Sequence, residues 1–361
     1  MVIVTRTLPM EHGISGDDAL PTVIERYLTD EQIQTFIENG VLVVPNILTP
    51  DEVAAARHGL HAELAKYDVL HDNLKETGRN LKKLSSTGGA GGILDLFYPS
   101  WRLKVAEHDR IFAAMTDLWQ ATYANNSSDF QHPFGKFNGK RGYMYINRVC
   151  YRVPDAISKR FGAKKSRPMQ RSLTPHWDCC PIKMYDSGKA TPRWRPIQCI
   201  TVLTSNTEPN TGGFECVPGF HKEFANYALK QQDLGLEDSY RSQVCLGDFS
   251  PLRMQEDRAV IDRYQHISCE AGSVIFFDWR LPHANSYKHI GQIPREVIYT
   301  GFLPDTLMNR EYVKEQLRRY QARLVPTDHW QKDDVDARVL EEYSTHHFSA
   351  LGSRLIGLYP W

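Results

Sequence analysis

Thr174-Pro175-His176-Trp177-Asp178 is the stretch from which the rest of this sequence is read. On an extended strand, residues i and i+2 project to one face, so His176 and Asp178 can hold one ion between them. Trp177 then points the other way, into core. A third ligand must come from elsewhere. The candidate is His283, which closes the run Phe276-Phe277-Asp278-Trp279-Arg280-Leu281-Pro282-His283. Two histidines and one carboxylate are the donor set of non-haem Fe(II) sites that keep coordination positions open. Twelve residues further on stands Arg295, at the start of another β run, where a guanidinium can clamp a carboxylate bidentately. Taken alone, His176 and Asp178 also read as a turn-capping pair. His61-x-Glu63 and His221-x-Glu223 have the same spacing. The first lies mid-helix, where i and i+2 diverge. The second follows the Pro218-Gly219 turn and reads as solvent-facing. Only the pair at 176 is followed by a distal histidine and arginine flanked by strand formers.

Outward from this stretch the chain is a series of short β segments. They are Tyr143 to Cys150, Ile197 to Leu203, Phe214 to Val217, Ser273 to Phe277 and Val297 to Leu303. Turn residues separate them: Pro209-Asn210-Thr211-Gly212-Gly213, Pro218-Gly219 and Ala271-Gly272. Many short strands with this punctuation predict a sandwich or barrel. The flanks are helical. Thr29 with Gln32 forms a capping box ahead of Ile33, Phe36 and Ile37, and Gly40 ends that helix. Val41 to Val44 reads as a buried strand stopped by Pro45. Thr49-Pro50-Asp51-Glu52 opens a second helix with an N-cap, a proline at N1 and acids in the first turn. Leu103 to Ala121, Glu311 to Leu324 and 336–343 are predicted helical. The glycine-rich loop 85–92 lacks the G-x-x-x-x-G-K pattern of a phosphate cradle and reads as a plain or substrate-covering loop. No linker divides the chain. The reading is one domain: a helical flank with a short strand over 26–125, a β core over 140–305 and a helical extension over 306–361.

The composition limits the partners. With 43 basic and 43 acidic residues among 361, the net charge is zero, which argues against a broad nucleic-acid surface. Seven cysteines with no C-x-x-C pair suggest neither a zinc ribbon nor a disulfide framework. No apolar run approaches a membrane span, and Met1 to Gly13 has no signal-peptide core. A reduced, soluble, cytoplasmic protein is expected; its oligomeric state is not legible.

These residues resemble the phytanoyl-CoA dioxygenase-like proteins, which are Fe(II)/2-oxoglutarate-dependent oxygenases. Leu28 to Gln32 with Asn39 to Pro45 is similar to their first helix and strand. Leu173 to Asp178 is similar to their H-x-D strand, and Pro209 to Lys222 to their central NGG…PGSHK segment, with Phe220 in place of the usual serine. Gly272 to Asp278 with His283 is similar to the strand that leads to the distal histidine. The resemblance implies a double-stranded β-helix (jelly-roll) core, mainly β with flanking helices. It implies iron at His176, Asp178 and His283, and the C5 carboxylate of 2-oxoglutarate at Arg295. Asn285 or Ser286 is expected to help hold the co-substrate, as is Gln198. The family chemistry uses O2, decarboxylates 2-oxoglutarate to succinate and CO2, and oxidises a substrate C–H bond; ascorbate usually helps in vitro. The family's halogenating members lack the carboxylate ligand, so Asp178 favours hydroxylation, desaturation or oxidative cyclisation.

The substrate side is open. Eight basic residues and one acid lie between 148 and 171, just ahead of the iron motif. One reading is a solvated loop. The other is contact with an anionic small molecule, such as an amino-acid-derived or carboxylate metabolite, with Arg148 and Arg152 best placed. Tyr143, Tyr145 and Asn147 alternate and can line a pocket or pack under helices. Cys179 and Cys180 read as buried thiols, and His266 and His289 as spare ligands at most. Two other functions fit the same fold: a non-catalytic metal-binding or regulatory module, and a cupin-type metalloenzyme that does not use 2-oxoglutarate.

Overall fold

A computed structural model of the chain describes residues 24–86, 89–158, 175–180, 185, 192–233, 250–326 and 345–361. The first helix, α1 (Asp30–Asn39), carries the expected capping box between Thr29 and Gln32 and ends on Gly40 at φ 67°. A left-handed residue there suits glycine. It also leaves room for His221, whose ring would lie 2.6 Å from a Cβ at that position. Strand β1 (Val41–Val44) follows, then α2 (Pro50–Ala65), capped by Thr49 and Glu52.

Twelve further short strands follow, among the described residues. They are β2 (Ile93–Leu94), β3 (Gly142–Met144), β4 (Val149–Arg152), β5 (His176–Trp177), β6 (Ile197–Val202) and β7 (Phe214–Cys216). After them come β8 (Ser250–Pro251), β9 (Gln265–His266), β10 (Val274–Asp278), β11 (His283–Asn285), β12 (Arg295–Ile298) and β13 (Phe302–Pro304). One sheet runs β1-β10-β6-β12-β4-β2 and another β8-β5-β11-β7-β9, while β13 and β3 make a separate pair. All these pairings are antiparallel. The two large sheets face each other as a jelly roll. Phe277 of β10 meets Phe214 of β7 across the gap, with ring centroids 4.8 Å apart. The aromatic residues of the core thus converge where β11 delivers His283.

Three elements differ from the sequence expectation. The run Tyr143–Cys150 is two strands, β3 and β4, in different sheets. Buried Gln316 explains the break: its amide donates to the Met144 carbonyl (2.9 Å) and its oxygen accepts from the Ile146 N–H (2.9 Å), taking bonds a continuous ladder would use. The run Val297–Leu303 also splits, because the chain turns at Thr300 and Gly301; the Thr300 N–H bonds back to the Ile298 carbonyl at 2.9 Å. Leu103 to Ala121 is two helices, Ser100–Ala106 and Asp109–Ala121. At the break, the buried Glu107 carboxylate accepts from the N–H and hydroxyl of Ser349, both at 2.8 Å. The carboxylate thereby docks the C-terminal helix Ala350–Leu355. The helix expected over 311–324 runs Leu307–Ala322, and 336–343 lies outside the described residues.

The described part of the 85–92 loop packs against β4. Gly92 has φ 73°, and a Cβ there would lie 2.5 Å from the Arg152 Cα. Its glycine allows close approach of two backbones, and the loop passes directly into β2 beside the site.

Candidate metal centre and active site

His176 and His283 are direct cross-strand partners in the β5–β11 pair. Facing pairs of this kind bring side chains together, and here the two imidazole centroids are 4.3 Å apart. Asp178 follows two residues after His176. Its Oδ1 lies 3.7 Å from His176 Nε2 and its Oδ2 3.5 Å from His283 Nε2. All three ligand atoms lie within 4.8 Å of one another. Both histidines are 6% exposed.

The surroundings prepare these groups for a cation. His283 Nδ1 lies 3.0 Å from the Leu281 carbonyl. A carbonyl only accepts, so the proton is assigned to Nδ1 and the Nε2 lone pair is left for metal. The turn ahead of β11 is held by Asp278, buried and bidentate to Arg280 at 2.8 Å for both contacts. Gln198 donates its amide to Asp178 Oδ2, and its own oxygen accepts from Arg195 at 2.5 Å. Burial pushes the Asp178 carboxyl up, but His283, His176, Arg195 and Gln198 outweigh it and hold the pKa below the ordinary carboxylate range. The carboxylate is therefore ionised, as a metal ligand must be. Two imidazoles, one ionised carboxylate and an oriented tautomer fit Fe(II).

The three donors open onto a cavity of about 100 Å³. Its wall includes Asn147, Arg148, Arg195, Gln198, Asn285 and Tyr299, with Ile93, Phe214 and Phe277 as apolar lining. Between Asn285 and Ser286, strand period decides. Asn285 shares the face of His283 and donates to the Tyr299 hydroxyl at 3.3 Å. Ser286 lies off the cavity wall; its N–H bonds the Gly213 carbonyl at 2.7 Å.

Arg295 is 2% exposed, and no carboxylate pairs with it among the described residues. Its Nη1 donates to the Cys150 thiol at 3.4 Å, the guanidinium also bonds the Tyr299 hydroxyl, and its Nε has no partner. A buried guanidinium without a counter-ion is expensive unless a ligand supplies the charge. The arginine therefore suits the anionic end of a dicarboxylate. Tyr299 stands beside it, and burial pushes this phenol up to about 12, so the hydroxyl stays protonated.

Several residues expected at the site stand elsewhere. Arg152 is buried on β4 as the cross-strand partner of Arg295, and donates to the carbonyls of Ser286 and Tyr287, the latter at 2.9 Å. Tyr143 bonds Asp305 at 2.9 Å. Tyr145 lies under the guanidinium groups of Arg193 and Arg195, 4.7 and 4.5 Å from the ring centre. Arg148 does reach the cavity, but it is paired with Asp95 at 2.5 Å. The strand break after Met144 separates Tyr143 from Tyr145 and Asn147, which lie between β3 and β4, so the alternation does not continue to the cavity. The basic stretch beyond Ser158 lies outside the described residues. His221 is 5% exposed, not solvent-facing as its turn suggested, and its Nε2 meets the Ile37 carbonyl at 3.1 Å. Trp177 is fully buried among Phe220, Phe224 and Tyr227. Cys179 is a buried free thiol, its pKa pushed well up by burial, and Cys180 is buried as well. Neither His266 nor His289 is in the cavity wall. Arg195 and Tyr299 were not singled out from the sequence. Tyr299 shares a strand face with Arg295 by its even spacing; Arg195 carries no such signal.

A jelly roll holding a two-histidine, one-carboxylate centre between its sheets defines the class of mononuclear non-haem oxygenases. The chain belongs to the phytanoyl-CoA dioxygenase (PhyH) family, whose model matches residues 36–296. It is similar to the ectoine dioxygenase of Stutzerimonas stutzeri, at 24% identity over 258 residues, 71% of this chain and 70% of that protein. A solved structure of a hypothetical protein from Escherichia coli superposes with TM-score 0.65 at 14% identity, over 91% of this chain and 82% of that one. The GlcNAc-inducible gene 2 product of Candida albicans gives 0.57 at 14% identity, over 91% and 80%. These two likenesses are of fold. Among the described residues, no helix is long and apolar enough to cross a membrane.

Proposed function

We propose that the protein is an Fe(II)/2-oxoglutarate-dependent dioxygenase that oxidises a C–H bond of a small carboxylate metabolite. One observation carries the reading: three metal donors converge on one cavity, and behind its Tyr299 wall stands a buried Arg295 that no carboxylate pairs with among the described residues. His176, Asp178 and His283 would hold iron, and Arg295 with Asn285 would hold the co-substrate. Bound iron and 2-oxoglutarate supply O2 activation, coupled to release of succinate and CO2. The chain's own residues do the rest. Gln198 and Arg195 keep the Asp178 carboxylate turned toward the histidines. Phe214, Phe277 and Ile93 keep water from that side of the cavity.

Asp178 fills the position that a halide would need, so the reaction is hydroxylation, desaturation or oxidative cyclisation. The likeness to an ectoine dioxygenase supports an amino-acid-derived substrate. Arg195 and Arg148 in the cavity wall suit its carboxylate. We also read 140–305 as the catalytic core, with 26–125 and 306–361 packed on it; β1 and β2 of the first flank are strands of the core sheet. Six described cysteines are free and buried, which suits a reducing cytoplasm.

The test is succinate formation from 2-oxoglutarate with Fe(II) and ascorbate, alone and with a panel of amino-acid-derived acids that includes ectoine. Stimulation by one class of acid supports the assignment. An absence of both turnover and 2-oxoglutarate binding would leave the non-catalytic reading.

A further inference from the structure

Glu296 follows Arg295 on β12, so its side chain leaves the strand on the opposite face, away from the cavity. It is completely buried, and three histidine and carboxylate donors meet there. Glu296 Oε1 lies 2.8 Å from His61 Nε2 on α2 and 3.8 Å from His71 Nδ1 in the short turn His71–Asn73. The two imidazoles stack with centroids 3.9 Å apart and planes 18° from parallel. All three donor atoms lie within 4.8 Å of one another, as in the triad. Zinc binds nitrogen and oxygen at about 2.0–2.2 Å in a tetrahedron, which separates neighbouring donors by roughly 3.4 Å. That value falls between the two distances at Oε1.

The other groups around Glu296 suit a metal site. Arg57 Nε takes the far oxygen, Oε2, at 2.8 Å. It orients the carboxylate as outer partners of metal ligands do; its Nη2 also stands 3.4 Å from Oε1, the oxygen that faces the histidines. The Tyr151 hydroxyl lies 2.6 Å from His71 Nδ1. The side chains of His61 and His71 are 25% and 34% exposed, so an ion can enter from solvent without unfolding. None of these residues is in the wall of the triad cavity.

We propose that His61, His71 and Glu296 form a second metal site, structural in role, that takes a zinc-type divalent cation. The bound ion clips α2 and the His71 turn onto β12, the strand that carries Arg295. The fourth position falls to water. On binding, the ion takes Oε1 and the His61 Nε2 lone pair in place of their mutual hydrogen bond, and the His61 ring proton moves to Nδ1 or to solvent. The ion takes the His71 Nδ1 lone pair in place of the contact with Tyr151, whose hydroxyl keeps its proton, and any His71 Nδ1 proton moves to Nε2. Zinc is not oxidised or reduced in this step.

The probe is Zn(II) added to chelator-stripped, full-length protein. Calorimetry of the wild type is expected to read two equivalents, one at the triad and one here. His71→Gln, at a half-exposed position, is expected to retain one, with affinity at the second site weakened about tenfold or more. His61→Gln is expected to do the same. In protein carrying His176→Ala and His283→Ala, one equivalent remains and raises the melting temperature. A single equivalent in the wild type that disappears with the triad would overturn the proposal. So would a second equivalent that survives both His61→Gln and His71→Gln. Neither reading depends on turnover, so failure here leaves the oxygenase assignment untouched.

Discussion

Asp178 faces two imidazoles and receives the Gln198 amide, which Arg195 in turn holds. That relay makes Gln198 a positioning residue. Gln198→Ala frees the carboxylate to rotate, and Fe(II) affinity is expected to fall about 10–100-fold, measured by calorimetry with Fe(II) under anaerobic conditions. Arg295 acts on a different ligand. Arg295→Gln removes the buried charge, and the 2-oxoglutarate KM is expected to rise about 10–100-fold with iron affinity unchanged. Steady-state kinetics at saturating Fe(II) separate the two variants. An unchanged KM would show that the buried guanidinium has another purpose. At this scale the convergence of the three side chains was legible, because period two puts His176 and Asp178 on one face and His283, which opens β11, comes opposite His176. Asn285 and Ser286 were not separable by register in the sequence; β11, which starts at His283, puts Asn285 on the cavity side. Arg148 and Arg152 were less legible, since each is claimed by a partner distant in sequence, Asp95 for one and the 286–287 carbonyls for the other.

The elements hold together through a few buried polar groups that local pattern does not reveal. Glu107 breaks one helix in order to cap another. Burial raises its pKa, but hydrogen bonds from His346 and Ser349 more than offset this, and the folded value lies below the ordinary 4.5. A carboxyl depressed on folding contributes stability that is present above its unfolded pKa and lost as pH falls through the folded value. Glu107→Gln is therefore expected to cost about 1–3 kcal/mol at pH 7 in urea unfolding, with the difference from wild type shrinking below pH 4.5. A difference that stays constant with pH would contradict the linkage. Gly92 makes a backbone prediction. Gly92→Ala must hold a left-handed residue and push a Cβ into β4, so a loss of about 1–3 kcal/mol is expected by the same measurement. The helix caps at Thr29 and Thr49 were legible because capping is a property of four consecutive residues. The split at Met144 was not, because Gln316 reaches it from a helix 172 positions away.

Across the whole molecule, the two sheets are built from strands far apart in sequence, and the centre lies where they face each other. β1 pairs with β10 in one sheet and β5 with β11 in the other, so the N-terminal flank supplies a strand to the sheet that faces the metal-donor strands. Ligands that bridge this interior bind the folded state alone. Mn(II) and 2-oxoglutarate, each at about 100 times its dissociation constant, are expected to stabilise the fold by about 2.7 kcal/mol per ligand. A thermal scan reads this as a rise in Tm that Arg295→Gln diminishes. A rise of equal size in both proteins would place the co-substrate elsewhere. A sandwich or barrel was legible from strand count and turn punctuation, and the jelly roll from the family resemblance, whereas strand order and the cavity wall depend on pairings that no local stretch encodes. Zero net charge, which argues against a polyanion partner, coexists with Arg148 and Arg195 in the wall of one cavity.

The claim that His176, Asp178 and His283 form an iron centre that turns over 2-oxoglutarate is tested most directly by succinate production. Wild-type protein and His176→Ala are compared with Fe(II), ascorbate, O2 and 2-oxoglutarate, each checked for native circular dichroism. The wild type is expected to form succinate, and His176→Ala to form none above the protein-free background. Equal succinate from the two proteins would contradict the account.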